Sequence, residues 1–271
     1  LLPILAVGAG GLLLQVLAYL HRRFGRTATA TVATAAFLGV ALWSASFMSV
    51  YAAPNTRIQA SEWIYQNIPA GSRISAETWD LALPISLAPG LNTSDRQIEQ
   101  IQLELYRDRE PAAVADDIFE VVSSVDYIVM ASNRVSTAIP QAPWRYPVQN
   151  RYYKLLENGE LGYTLVAEFE RSPGIGSLRF NDQRADESFI NYDHPTVLIY
   201  QKTRNLDRVS FDALMAPATG KPYQPFRHAP EETLMLEAPV GDGTVVADAR
   251  WSSSVTSSTF AALLVWILLL V

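Results

Sequence analysis

With 271 residues, 21 of them basic and 27 acidic, the chain has room for one sizeable domain plus attachments and a formal charge of −6. It contains no cysteine, which excludes disulfides and thiolate metal sites. Outside the three arginines at 22–26, the remaining 18 basic and 27 acidic residues leave −9, which argues against nucleic acid or an anionic membrane surface as a partner.

The apolar residues gather at the ends. Residues 1–20 are apolar except Gln15 and Tyr19, and 27–50 carries no charge. A bilayer crossing takes about 20 apolar residues, so both segments are predicted as transmembrane helices in contact with the lipid bilayer. The loop between them, HRRFGR, holds Arg22, Arg23 and Arg26 without an acid and is expected on the cytoplasmic side. Residues after Val50 are then extracytoplasmic, in an integral protein of the plasma membrane. A signal peptide ending near Ala52-Ala53 is the rival, but the apolar run exceeds an h-region and another precedes it. Residues 256–271 read as the start of a truncated third span. That ending, and the opening at Leu1 rather than Met, are what a fragment of a longer protein would show.

Residues 51–204 are predicted as the extracytoplasmic domain. A helix over 57–67 stops at Pro69-Ala70-Gly71, and 72–78 alternates as a first strand. Residues 79–91 hold two prolines and a glycine and read as a loop. At 94–106 a capping box at Ser94 and Gln97 competes with the alternation of IQLELY, which favours a strand. Asp108 can cap a helix with Pro111 near its start and Val114, Ile118, Val121 and Val122 on its apolar face. The run DYIVMA (126–131) reads as a strand covered on both faces. A loop over 132–147 follows, then a helix over 148–158 that stops at Gly159. Strands are predicted at 163–169 and 196–202, separated by an irregular stretch. This alternation predicts an α/β fold: a small Rossmann-like domain with a mostly parallel sheet, flanked by transmembrane helices. Residues 205–255 read as a linker or a hairpin around Gly-Asp-Gly.

Three groups of residues could carry chemistry. Glu77 and Asp80 flank Trp79 at the end of the first strand, where open α/β sheets form their ligand crevice. Two carboxylates beside an indole suit sugar hydroxyls or general acid–base work; the alternative is a loop acid pair beside a core tryptophan. Asn133 and Arg134 follow the third strand at the equivalent edge, with Trp144-Arg145-Tyr146 and Arg151-Tyr152-Tyr153 downstream. Arginine there could pair with a phosphate and Tyr152 or Tyr153 stack on a sugar ring, or all could be interface packing. Asp182, Asp186, Glu187, Asp193 and His194 form the densest acidic group. A divalent cation on Asp186, Asp193 and His194 is the weaker reading, no cofactor being expected; capping and pairing with Arg179 or Arg184 is the stronger. No P-loop, dinucleotide glycine fingerprint, HExxH or GxSxG motif is present.

The stretches PNTRIQASEWIYQNIPAGSRI, ETWDLALP, VDYIVMASNR, RYPVQNRYYKLLENGELGYTLVAEFE and ADESFINYDHPTVLIYQKT occur in order over most of 54–202. Together they resemble the extracytoplasmic region of large bacterial membrane proteins related to protein O-mannosyltransferases, the lipid-linked-sugar-dependent glycosyltransferases of the GT-C class. LMLEAPVGDGT and the closing apolar segment resemble the junction to a second, YYY-type membrane module. The resemblance implies a hexosyltransferase using a polyprenyl-phosphate-linked sugar, with the rest of the parent protein and a glycan acceptor as partners. In that class catalysis is attributed to an acid in the first extracytoplasmic loop, which has no counterpart here. No catalytic residue is therefore carried over, and the fragment alone is expected to be inactive. It would serve as an accessory domain over the membrane active site. The rivals are a non-catalytic, membrane-anchored binding or scaffolding module, and a metal-dependent hydrolase using the 186–194 cluster.

Overall fold

The computed structural model describes residues 2–107, 109–185 and 187–221. The cap expected at Asp108, the cation candidate Asp186, and the hairpin and third span expected beyond 221 lie outside the described residues.

Both predicted apolar segments fall in one helical element, α1 (Leu2–Met48), broken at Gly25 with φ 82° and ψ −176°. A side chain rarely adopts that positive φ, and glycine supplies the break between 2–24 and 26–48. At 1.5 Å per residue each half is roughly 34 Å long, and by length and composition the element is one candidate membrane span or a signal sequence. Leu14, Phe37, Val40 and Leu42 stand exposed along it, which suits a helix surrounded by lipid.

A turn at Ser49–Ala52 leads into α2 (Thr56–Asn67), opened by Asn55, whose side chain accepts from the Arg57 N–H at 2.9 Å. Next come β1 (Arg73–Glu77), β2 (Glu99–Leu103), α3 (Pro111–Ser124) and β3 (Tyr127–Met130). They are followed by α4 (Arg134–Ala138), α5 (Pro147–Glu157) and β4 (Tyr163–Phe169). The last described elements are β5 (Gly174–Ile175), β6 (Leu178–Arg179), α6 (Glu187–Ile190), β7 (Val197–Lys202) and α7 (Arg208–Thr219). Proline at the first turn of α3 and α5 has no backbone donor to lose there.

The five-stranded sheet has the order β2-β1-β3-β7-β4. β1 pairs parallel with β2 and β3, but β7 is antiparallel to both β3 and β4. This corrects the mostly parallel sheet expected from the alternation: the fold is mixed α/β. Between β4 and β7 the chain makes a hairpin and a single helical turn rather than a crossover helix, so it returns along the strand it has just left.

Alternation within the strands divides the core. Ile128, Met130 and Tyr200 face α3, α5 and α7; Tyr127, Val129, Val197 and Ile199 face α2. The run at 126–131 is apolar throughout because both faces are covered, as predicted.

Two expectations are corrected. The predicted loop at 132–147 contains α4, a short helix held by the Asn133 carbonyl, which accepts from the Thr137 N–H at 2.9 Å. The predicted linker after residue 205 begins with α7. Asp207 caps it, accepting from Ser210 N–H at 2.7 Å, and Phe211, Met215 and Ala218 are buried against the first core cluster. Pro217 inside this helix masks its period in the sequence.

Candidate functional site

The ends of β1 and β3, the start of β7 and the end of β4 share one edge of the sheet. Here the chain coming from α1 joins the domain through the first turn of α2: Thr56 Oγ1 donates to the Pro195 carbonyl at 2.6 Å, and Arg57 Nε to that of Ala131 at 3.1 Å. The chain turns from the end of β1 to β2 on one side, without a helix, and from the end of β3 through α4 and α5 to β4 on the other. The crevice between β1 and β3 is therefore a topological switch point, the usual ligand position in open α/β sheets.

Glu77 and Asp80 diverge there. Glu77, only 3% exposed, turns into the core, where Oε1 accepts from the Tyr153 hydroxyl at 2.7 Å. Burial pushes its carboxyl up to about 8; the Tyr153 bond works against this, and the charge of Asp80 adds to it. Tyr152, its ring 5.1 Å from that of Tyr153, is fully buried. Burial and the Glu77 charge hold both phenols well above their usual range. These two tyrosines thus sit in the core, away from the surface at which ring stacking was expected.

Asp80, its side chain 4% exposed, pairs with Arg57 at 3.0 Å and accepts from the Ser132 hydroxyl. Arg57 also donates to the Asn191 carbonyl at 2.7 Å. Four segments of chain therefore meet on two buried side chains. A basic residue in the first turn of a helix opposes the macrodipole, and that is the one sequence signal that could have marked Arg57. Nothing in the local pattern marks Ser132 or Tyr192.

Between these acids the chain turns. The Asp80 N–H closes on the Glu77 carbonyl at 3.2 Å, and Trp79 takes φ 79°. In turns this position favours glycine. Arg134 Nη1 donates to the Trp79 carbonyl at 2.9 Å and Nη2 to the Tyr192 hydroxyl at 3.2 Å, with its guanidinium 5.8 Å from the Tyr192 ring centre. Trp79 and Tyr192 are each 66% exposed. Two buried acceptors of this region, Oδ1 of Asn133 and of Asn191, have no hydrogen-bond partner among the described residues. Trp79, Asn133 and Arg134 are thus brought together as the sequence suggested, with Tyr192 added.

The acidic cluster separates. His194 Nε2 meets Asp182 Oδ2 at 2.8 Å, both buried, with Phe47 and Phe189 around the imidazole. Asp193 instead lies by Tyr51, raising the pKa of that phenol. Among the described residues no three histidine or acidic groups converge on a point that could hold a metal ion.

A groove of about 500 Å³ opens at the opposite edge, between Gly71, Asp126 and Lys202. Its charges are engaged: Asp126 accepts from the Arg73 N–H at 2.9 Å, and Lys202 donates to the Ser123 carbonyl at 2.8 Å. The switch point at Trp79, where two exposed rings meet Arg134, is the better candidate. Comparison with protein-family models, curated proteins and solved structures gives no match.

Proposed function

We propose that the chain is part of a membrane glycosyltransferase that uses a polyprenyl-phosphate-linked sugar, and that the crevice at Trp79 receives the sugar. The observation that carries this reading is the conformation of Trp79. A non-glycine residue at positive φ costs on the order of 1–3 kcal/mol, and such strain concentrates at binding sites. Packing does not offset it, because the indole is mostly exposed. What the strain achieves is presentation of an aromatic face near a second ring, Tyr192, with Arg134 bonded to both residues. An aromatic face with polar groups at its rim is suited to a sugar ring.

The motif series supports the transferase assignment. The position of the crevice supports a lipid-linked substrate, since it lies at the edge where the apolar helix enters. In this reading the outer domain is Rossmann-like, with β2-β1-β3 as its parallel core, and faces outwards from the plasma membrane. Both carboxylates, Glu77 and Asp80, are withdrawn from solvent, so in this reading the site binds sugar through Trp79 and its neighbours, and the reacting acid belongs to another part of the parent protein. The same withdrawal favours, as a second reading, an anchored module that docks a protein partner.

Calorimetry on the chain in lipid nanodiscs, across a panel of short-chain polyprenyl-phosphate sugars and simple glycosides, tests the proposal. Saturable binding is expected, weakened roughly tenfold in Trp79→Ala, the value of one ring contact. Absence of binding by folded protein, or binding indifferent to Trp79, overturns it and leaves the docking module.

A further inference from the structure

The hairpin β5–β6 leaves three large apolar side chains uncovered. Ile175, Leu178 and Phe180 are exposed, Leu178 to 58%. Ile175 pairs directly with Leu178, so these side chains project from one face of the hairpin. Gly176, at φ 60°, makes the tight turn between them. Such a group on a small two-stranded hairpin has too little core of its own and needs a covering.

The hairpin is tied to the end of α1. The Gly174 N–H donates to Ser49 Oγ at 3.0 Å, and the Trp43 ring meets Phe180 edge-on, centroids 5.8 Å apart. Only glycine fits at 174, where a Cβ would lie 2.4 Å from the Leu178 carbonyl oxygen. Trp43 lies five residues before the end of α1 at Met48, roughly 7 Å along the axis. The second half of α1 is about as long as a bilayer is thick, which puts Trp43 at the membrane–water boundary, where tryptophan is favoured. Phe180 is therefore at the same depth. Arg179, the residue before it, is exposed and suited to reach headgroups.

From this geometry we propose that the hairpin at 174–180 inserts Ile175, Leu178 and Phe180 into the lipid interface beside the second half of α1. The bilayer is thus the occupant of this apolar face, and the domain rests on it at two points, helix and hairpin. Two attachments fix the tilt of the domain and hold the Trp79 crevice at a set height over the lipid surface. The proposal rests on α1 being a membrane span, but not on the sugar reading.

The natural absence of cysteine makes the test direct. Single variants Leu178→Cys, Phe37→Cys and Ser123→Cys of the full chain, labelled with a fluorophore, are reconstituted in phosphatidylcholine vesicles. The vesicles carry nitroxide lipids labelled at the headgroup or deep in the acyl chain. All three positions tolerate a label, because none is in the core. The label at 178 should be quenched several-fold more than that at 123, and more by shallow than by deep nitroxide. The label at 37 should respond most to deep nitroxide. Quenching at 37 without quenching at 178 overturns the hairpin proposal while leaving the span intact. Quenching at neither overturns both.

Discussion

The Tyr153 hydroxyl donates to Glu77 Oε1 across 2.7 Å, joining α5 to the end of β1 inside the core, while Oε2 of the same carboxyl has no partner among the described residues. A half-satisfied, fully buried carboxyl keeps its proton. Burial thus raises the folded-state pKa to about 8, from about 4.5 in the unfolded chain. Stability from this group is thus complete below about pH 4.5, declines as pH rises through about 8, and is flat beyond. Glu77→Gln keeps an acceptor for Tyr153 and cannot ionise. It should match the native chain near pH 5 and exceed it by roughly 3–5 kcal/mol near pH 8. Urea unfolding at both pH values measures this; an equal gain at both would show that ionisation is not the cause.

The ion pair of Arg57 with Asp80 is more buried than most, with side chains 12% and 4% exposed. Asp80→Ala leaves the guanidinium facing two carbonyls without its counter-charge and removes the acceptor of Ser132. The expected loss is about 3–5 kcal/mol, the cost of breaking a buried pair from one side. Denaturant midpoints of Asp80→Ala against Asp212→Ala, which breaks an exposed pair with Arg208 at 2.8 Å, give the comparison, and the latter should change stability by less than about 1 kcal/mol.

Gly162 takes φ 79°, and a Cβ there would sit 2.4 Å from the Arg204 carbonyl oxygen. Its own carbonyl accepts from the Thr203 N–H at 2.8 Å, which ties the start of β4 to the end of β7. Gly162→Ala meets both strain and a backbone clash and should cost about 2 kcal/mol or more. Gly159→Ala, also at positive φ but 3.4 Å from its nearest carbonyl oxygen, should cost less. Paired melting curves rank the two.

Trp79→Gly separates binding from folding. Removing an exposed ring from a strained turn should leave stability unchanged or raise it by up to about 1 kcal/mol, while sugar binding weakens roughly tenfold, as in Trp79→Ala. A marked fall in melting temperature would instead place the indole in the packing.

Local patterns in the sequence determined much of the architecture. Apolar positions at helical spacing located α2, α3 and α5, and alternation or continuous apolar runs located β1, β3, β4 and β7. These patterns are legible because each element must cover its own apolar face, and that demand repeats every few residues along the chain. The uncharged N-terminal segments and the break near the arginines were legible for the same reason. The site was legible only in part: Trp79, Asn133 and Arg134 follow the strand ends that form a crevice. Tertiary structure alone decided that Glu77 enters the core while Asp80, three residues on, meets Arg57, Ser132 and the Arg134 network. It also decided that β7 runs antiparallel, that Tyr192 completes the crevice, and that Tyr152 and Tyr153 are packing residues. Each of these depends on which distant segments come to the same end of the sheet, and spacing within one segment carries no information about its partners across the fold.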